Sequence, residues 1–188
     1  MYQICISGAA KGESVAEGKQ LAIAAGTAIA KAGHCLLSGA TTGIPDCTAQ
    51  AYKAAGGIMS IGLSPAASKI EHVYKYRLPT EAYDVILFTG LHYVGRDALL
   101  INSADAVISI GGRLGTLHEF TVAVETGTPI GFLQGAGGVS NEIKTLIELA
   151  GQEREGVEIL FSNNATQLIT EITDYLDKER AKYNELYK

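Results

Sequence analysis

The stretch Ala104-Asp105-Ala106-Val107-Ile108-Ser109-Ile110-Gly111-Gly112-Arg113-Leu114-Gly115-Thr116-Leu117-His118-Glu119-Phe120 decides how this chain is read. It opens with an apolar run of the length that suits a buried strand. Three glycines follow within five residues, and then an amphipathic run that carries Thr116 and Glu119. Strand, glycine turn and helix start, in that order, make a trap for an oxyanion. Glycine lets the backbone approach a ligand, and the first N–H groups of the helix point at it. A small phosphorylated ligand is therefore expected over Gly111, Gly112, Arg113, Gly115 and Thr116.

The same alternation extends in both directions. Upstream, Gln3–Ser7 reads as a short apolar strand, followed by the loop from Gly8 to Gly12. Ser14-x-x-Glu17 has the form of a capping box and opens a helix to about Lys31, with Val15, Leu21, Ala22, Ala25 and Ile29 as its apolar stripe and Gly33 as its stop. His34–Ser38 is a second strand, and Gly39-Ala40-Thr41-Thr42-Gly43 a second glycine turn. A helix from Pro45 or Asp46 to Ala55 and a strand over Ile58–Leu63 come next. Ser64–Tyr83 is irregular and tyrosine-bearing, and reads as a long surface loop with one helical turn; loops of that length are often lids or binding loops. Val85–Thr89 is a strand, and Gly95–Ser103 a helix whose start carries Arg96 and Asp97.

Downstream of the opening stretch, Leu114–Glu125 is a helix closed by Gly127, and Pro129–Leu133 a strand. A helix from Ser140 to about Ala150, a strand over Glu158–Phe161 and a helix from Ala165 to about Arg180 complete the pattern. Residues 1–180 form one expected domain, and 181–188 a polar tail that frays.

Strands that read as continuous apolar runs, alternating with helices, specify an α/β fold. The expectation is a single-domain, doubly wound, mainly parallel Rossmann-like sheet with helices on both faces. Ligands in such folds sit beyond the C-terminal ends of the strands, where the strand order reverses. The three glycine turns all fall at such ends, which adds Gly8, Gly39, Thr42 and Gly43 to the candidate phosphate or nucleotide site.

Bulk properties narrow the function. The chain has 188 residues, 47% of them hydrophobic and 19% charged, with a net charge of -5. Without a Lys/Arg-rich run, no nucleic-acid partner is expected. The N-terminus lacks a signal-peptide pattern, and no segment is long enough to span a bilayer, so a cytoplasmic protein without a membrane partner is expected. Cys5, Cys35 and Cys47 have no paired spacing and read as small core residues in a reducing compartment. His34, His72, His92 and His118 have no ligand spacing, so no metal is expected. Neither a G-x-S-x-G elbow nor a GxxxxGK[ST] loop is present, Gly8-x-x-x-Gly12 is too loose for a dinucleotide fingerprint, and no cofactor is expected.

Two side chains carry the candidate chemistry, each with a plain structural rival. Glu119 is the catalytic candidate, yet Thr116-x-x-Glu119 also fits a capping box, in which the glutamate only satisfies backbone N–H groups. Arg96 could hold a phosphate or carboxylate bidentately, or pair with Asp97 or Asp105 on the surface.

Gly115-Thr116-x-x-Glu119 after an apolar strand, with Arg96 one helix upstream, resembles the signature of the LOG ("Lonely guy") family, whose members are often labelled "possible lysine decarboxylase", within the SLOG-type Rossmann-like superfamily. Ser38–Ile44, Ala51–Gly57 and Ile58–Pro65 resemble that family's first glycine loop, helix and next strand, and the likeness spans roughly residues 3–175. The resemblance implies a nucleotide-binding domain, usually a homodimer. It implies a phosphoribohydrolase that cleaves a nucleoside 5'-monophosphate such as AMP into free base and ribose 5-phosphate. In that role Glu119 stabilises the ribosyl cation or prepares water, Arg96 holds the ribotide, and Gly115-Thr116 binds the 5'-phosphate. The decarboxylase label has no residue pattern behind it.

Three departures mark this chain. Arg113 occupies a glycine position of Pro-Gly-Gly-x-Gly-Thr. Ser38 and Ala40 replace glycines in the first loop, and Pro45-Asp46 replaces Met-Gly. His92-Tyr93-Val94-Gly95-Arg96-Asp97 replaces a His-Glu-Arg-Lys-type run. Molybdenum-cofactor carrier proteins share the fold without the hydrolase role, so a non-catalytic nucleotide or molybdenum-cofactor-type binding protein is the alternative expectation.

Overall fold

The computed structural model describes residues 1–150, 157–184 and 186. Of the expected frayed tail, Glu185, Tyr187 and Lys188 lie outside the described residues. The strands are β1 (Gln3–Gly8), β2 (Cys35–Ser38), β3 (Ser60–Ser64), β4 (Val85–Phe88), β5 (Ala106–Ile110), β6 (Ile130–Leu133) and β7 (Ile159–Ser162). The helices are α1 (Glu13–Lys31), α2 (Ile44–Ala54), α3 (His92–Asn102), α4 (Leu114–Thr126), α5 (Ile143–Ala150) and α6 (Ala165–Ala181).

Every pairing in the sheet is parallel, in the order β4-β3-β2-β1-β5-β6-β7. The order reverses between β1 and β5, where Gly8 pairs with Ile110. The first and third glycine loops thus leave the sheet side by side at the switch point, as the alternation of apolar strands and helices predicts.

The apolar runs are explained by two cores. Ile4, Ile6, Leu36, Ile108 and Ile110 pack under α1, α2 and α6, while Cys5, Leu37, Val107 and Phe132 pack under α3, α4 and α5. A strand buried on both faces cannot alternate with polar residues. Edge strand β4 is the exception: Val85 and Leu87 are exposed.

Helix α1 departs from its expected stripe. Its buried face is Ser14, Gly18, Ala22, Ala25, Gly26, Ala28 and Ile29, while Val15 and Leu21 are only partly buried. Small residues are needed there because α2 crosses closely: a Cβ at Gly26 would stand 2.3 Å from the Thr48 carbonyl oxygen.

The helix starts also differ, for a shared reason. The capping box at Ser14 does not form, because α1 begins at Glu13 behind Gly12, whose φ is 100°, and no side chain caps it. Helix α2 begins at Ile44, and α3 at His92 rather than Gly95. Arg96 and Asp97 therefore sit in the second turn of α3 and not at its start. The expected helix from Ser140 is a 3-10 turn over Gly138–Asn141 followed by α5.

The irregular stretch after β3 contains a π-helical turn, Glu71–Lys75, pinned by fully buried His72. Ser64 Oγ lies 2.8 Å from His72 Nδ1, and His72 Nε2 lies 2.9 Å from the Pro79 carbonyl oxygen. Since a carbonyl only accepts, Nε2 carries the proton and Nδ1 accepts from the serine. Among the described residues no helix is long and apolar enough to cross a membrane.

Candidate functional site

A cavity of about 180 Å³ opens at the switch point. The first and second glycine loops form its floor through Gly8, Ala9, Ala10, Gly39 and Thr41. Two helical faces wall it. Helix α3 contributes Tyr93, Arg96 and Asp97, spaced i, i+3, i+4, and the start of α4 contributes Arg113, Thr116 and Glu119 at intervals of three. Gly115 completes the rim.

Glu119 is buried, and its partner is not the end of its own helix. Ser7 Oγ, at the end of β1, donates to Glu119 Oε2 at 2.5 Å. Helix α4 begins at Leu114 with Arg113 as its cap, so Thr116 lies inside the first turn and the Thr116–Glu119 capping box does not form. Burial and the neighbouring Asp97 carboxylate raise the Glu119 pKa from 4.5 to about 7, against the opposing pull of the Ser7 hydroxyl, Arg96 and His118. At neutral pH this carboxyl is poised between its acid and its base form.

Arg96 is buried against the floor. Its Nη1 donates to the Leu63 carbonyl at 3.1 Å, and its Nε stands 3.3 Å from Asp97 Oδ1, an ion pair without hydrogen-bond alignment. The guanidinium lies over Gly39, where a Cβ would come within 1.7 Å of Nη1. Any larger residue there would displace the guanidinium. Of the two surface partners expected for Arg96, Asp97 is the one used, and the pair is buried. His118 Nδ1 donates to Asp97 Oδ2 at 2.9 Å, which ties α4 to α3. Asp97 thus joins Arg96, His118 and, through its field, Glu119.

The phosphate candidates divide into two groups. Gly8, Gly39, Arg113, Gly115 and Thr116 line the cavity. The first intrahelical bond of α4 runs from Leu117 N–H to Arg113 O, which leaves the N–H groups of Leu114, Gly115 and Thr116 ahead of the ladder. Arg113 is exposed, and among the described residues it makes no ion pair.

Thr42, Gly43, Gly111 and Gly112 do not line the cavity; they shape the loops. Thr42 Oγ1 donates to the Ala10 carbonyl at 2.9 Å, and Gly43 caps α2 with φ 78°. The Gly111 carbonyl accepts from Ser140 Oγ, and the Gly112 carbonyl accepts from Val139 N–H. The threonine of the second glycine loop that reaches the cavity is Thr41. Neighbouring loop residues point opposite ways, and composition carries no signal for which one faces in. Sequence reading also passed over Ser7, Tyr93 and Asp97; the i, i+3, i+4 spacing of Tyr93, Arg96 and Asp97 was the available signal for the last two. Among the described residues no three His, Cys, Asp or Glu side chains converge as metal ligands would.

Against known proteins, the model of the SLOG cluster4 family matches residues 1–169. The chain belongs to that family. As an SLOG chain it is similar to an uncharacterized protein of Archaeoglobus fulgidus, 29% identical over 134 residues that cover 71% of this chain and 81% of the relative. Its structure is similar to the X-ray structure of TM1055, with a TM-score of 0.79 at 25% identity over 93% of this chain and 99% of the other. It is also similar to the molybdenum cofactor binding protein of Rippkaea orientalis, with a TM-score of 0.70 at 26% identity over 92% and 97%. The family and these neighbours agree with the LOG-type resemblance carried by Gly115-Thr116-x-x-Glu119, and the departures at Arg113, in the first loop and over His92–Asp97 mark a divergent SLOG member.

Proposed function

We propose that this chain binds a nucleoside 5'-monophosphate in the switch-point cavity and hydrolyses its N-glycosidic bond to free base and ribose 5-phosphate. The observation that carries the reading is Glu119: a buried carboxyl on α4, oriented by Ser7 at the end of β1, facing a cavity floored by main-chain loops. In the proposed reaction the 5'-phosphate lies against the free N–H groups of Leu114, Gly115 and Thr116, with Arg113 and Arg96 supplying positive charge. Glycosidic cleavage passes through an oxocarbenium-like state, and the Glu119 carboxylate stabilises that charge or takes a proton from the attacking water. Both roles need the ionised form, so turnover rises with pH through about 7, the value to which burial brings Glu119.

The test is incubation of purified protein with AMP and other monophosphates, with free base followed by chromatography. Base release that disappears in Glu119→Ala supports the enzyme. No release from the wild type, or equal release from the variant, removes it.

A second reading is a binding or carrier protein for a nucleotide or a molybdenum-cofactor-type ligand. Arg113 in a glycine position of the hydrolase motif favours it, as does the likeness to the Rippkaea orientalis molybdenum cofactor binding protein. It predicts calorimetric binding without turnover. A cytoplasmic homodimer belongs to the same proposal; exposed Val85 and Leu87 on β4 and Val94 and Leu99 on α3 supply apolar area for a second copy. Sedimentation at micromolar concentration tests it, and a monomer there rejects it.

A further inference from the structure

The cavity is smaller than the ligand it is proposed to take. Pockets that enclose whole drug-sized ligands measure about 300–1,000 Å³, and this one measures about 180 Å³. A sugar phosphate occupies such a space; the remainder of a nucleotide has to lie at the mouth.

The mouth carries an exposed aromatic ring. Tyr93 is 45% exposed although it lines the cavity, and it shares one face of α3 with Arg96 and Asp97. Tyr76 packs against its ring in a T-shaped contact, with centroids 5.6 Å apart and an interplanar angle of 79°. Tyr76 is itself fixed, since its hydroxyl lies 2.7 Å from His92 Nδ1. One end of that bond, His92, has φ 56°, and Arg77, the residue after Tyr76, has φ 57°. Non-glycine residues hold such angles only where the surroundings over-determine the conformation. The contacts that hold the loop after β3 to the start of α3 thus converge on Tyr93, whose ring stays nearly half exposed.

We propose that Tyr93, buttressed by Tyr76 and the Tyr76–His92 hydrogen bond, is the platform on which the planar base of the bound nucleotide stacks, outside the cavity that takes its sugar phosphate. The inference rests on the proposed function and deepens it by assigning the base subsite. Stacking on an aromatic side chain recognises any flat heteroaromatic ring, so the subsite selects for a ring more than for one particular base. It makes AMP a better ligand than ribose 5-phosphate, although both offer the same phosphate.

The experiment is calorimetric titration of the wild type, Tyr93→Phe and Tyr93→Ala with AMP and with ribose 5-phosphate. The readout is the ratio of the two affinities, which cancels a general loss of folded protein. The wild type and Tyr93→Phe are expected to prefer AMP by about tenfold or more, and Tyr93→Ala by a ratio close to one. An undiminished preference in Tyr93→Ala overturns the platform and leaves the sugar-phosphate site standing. A wild type that binds ribose 5-phosphate and AMP equally overturns it too. A wild type that binds neither overturns the proposed function, and the platform with it.

Discussion

The two ends of β5 present similar side chains in opposite conditions. Just before the strand, at the N-terminal edge of the sheet, Asp105 accepts from Gln3 N–H at 2.7 Å and pairs with Arg180 at 3.2 Å. Arg180 covers the Tyr2 ring at 4.2 Å, and the Tyr2 hydroxyl donates to Asp177. Charge there meets opposite charge, and the cluster clamps α6 to the sheet. Beyond the other end of the strand, Glu119 has a single hydroxyl donor and a like charge nearby. Among the described residues Arg96 Nε and the buried Ser109 hydroxyl have no hydrogen-bond partner and Arg113 makes no ion pair, whereas the edge at Asp105 leaves one buried polar atom unpaired, His34 Nδ1 beside Tyr2. Satisfied polar groups stabilise a fold, whereas groups kept desolvated and under-satisfied are available for a ligand. The same residue types thus close one edge of the sheet and leave the other chemically open.

Substitutions at the open end should damage function most. Glu119→Ala should lower base release from AMP on the order of 10²–10³-fold, the loss typical when one group that stabilises transition-state charge is removed; a smaller change would move Glu119 out of the chemistry. Arg96→Ala should weaken binding and also cost about 3 kcal/mol of stability, because it leaves the buried Asp97 carboxylate with His118 as its remaining partner. Chemical denaturation with and without ligand separates the two effects.

Glu119→Gln should do the reverse for stability. In the unfolded chain Glu119 loses its proton near 4.5, and in the folded chain near 7. Between these values the folded state binds more protons, so stability falls as pH rises through the window, and the full cost is present above about 7. The amide removes that cost, on the order of 2 kcal/mol. Its melting temperature should exceed that of the wild type at pH 8 and match it near pH 4. An equal gain at both pH values would break the contrast between the two ends. At the closed end, Arg180→Ala should cost about 1 kcal/mol or less, since the pair is partly exposed, with no change in AMP affinity. The finest effect belongs to Ser7→Ala. Without the hydroxyl that favours the carboxylate, the rise of turnover with pH should move to higher pH; an unmoved profile would detach Ser7 from Glu119.

Much of this fold could be read from the chain because the signal is local and repeated. Apolar runs such as Ala106–Ile110, each ending in glycine, announce parallel strands, and the turns after β1, β2 and β5 locate the ligand edge. Helix starts were less legible. Gly12, Gly43 and Arg113 precede helices without a side-chain cap, so the Ser14 and Thr116 boxes pointed two and three residues too far along. Ser14 is instead packed under the third glycine loop: a Cβ on Gly111 would lie 3.2 Å from the Ser14 Cβ.

By itself the sequence determined the layer order, the parallel sheet, and the edge where Gly115, Thr116, Glu119 and Arg96 gather. Those follow from hydrophobic periodicity and glycine placement, which act over a few residues. Only the tertiary structure decided that Glu119 answers to Ser7 and not to its own helix, that Arg96 lies over Gly39 between Leu63 and Asp97, and that Thr41 faces the cavity while Thr42 does not. Each of these depends on the separation of elements distant in the chain, and hydrogen bonding and desolvation change steeply over that separation.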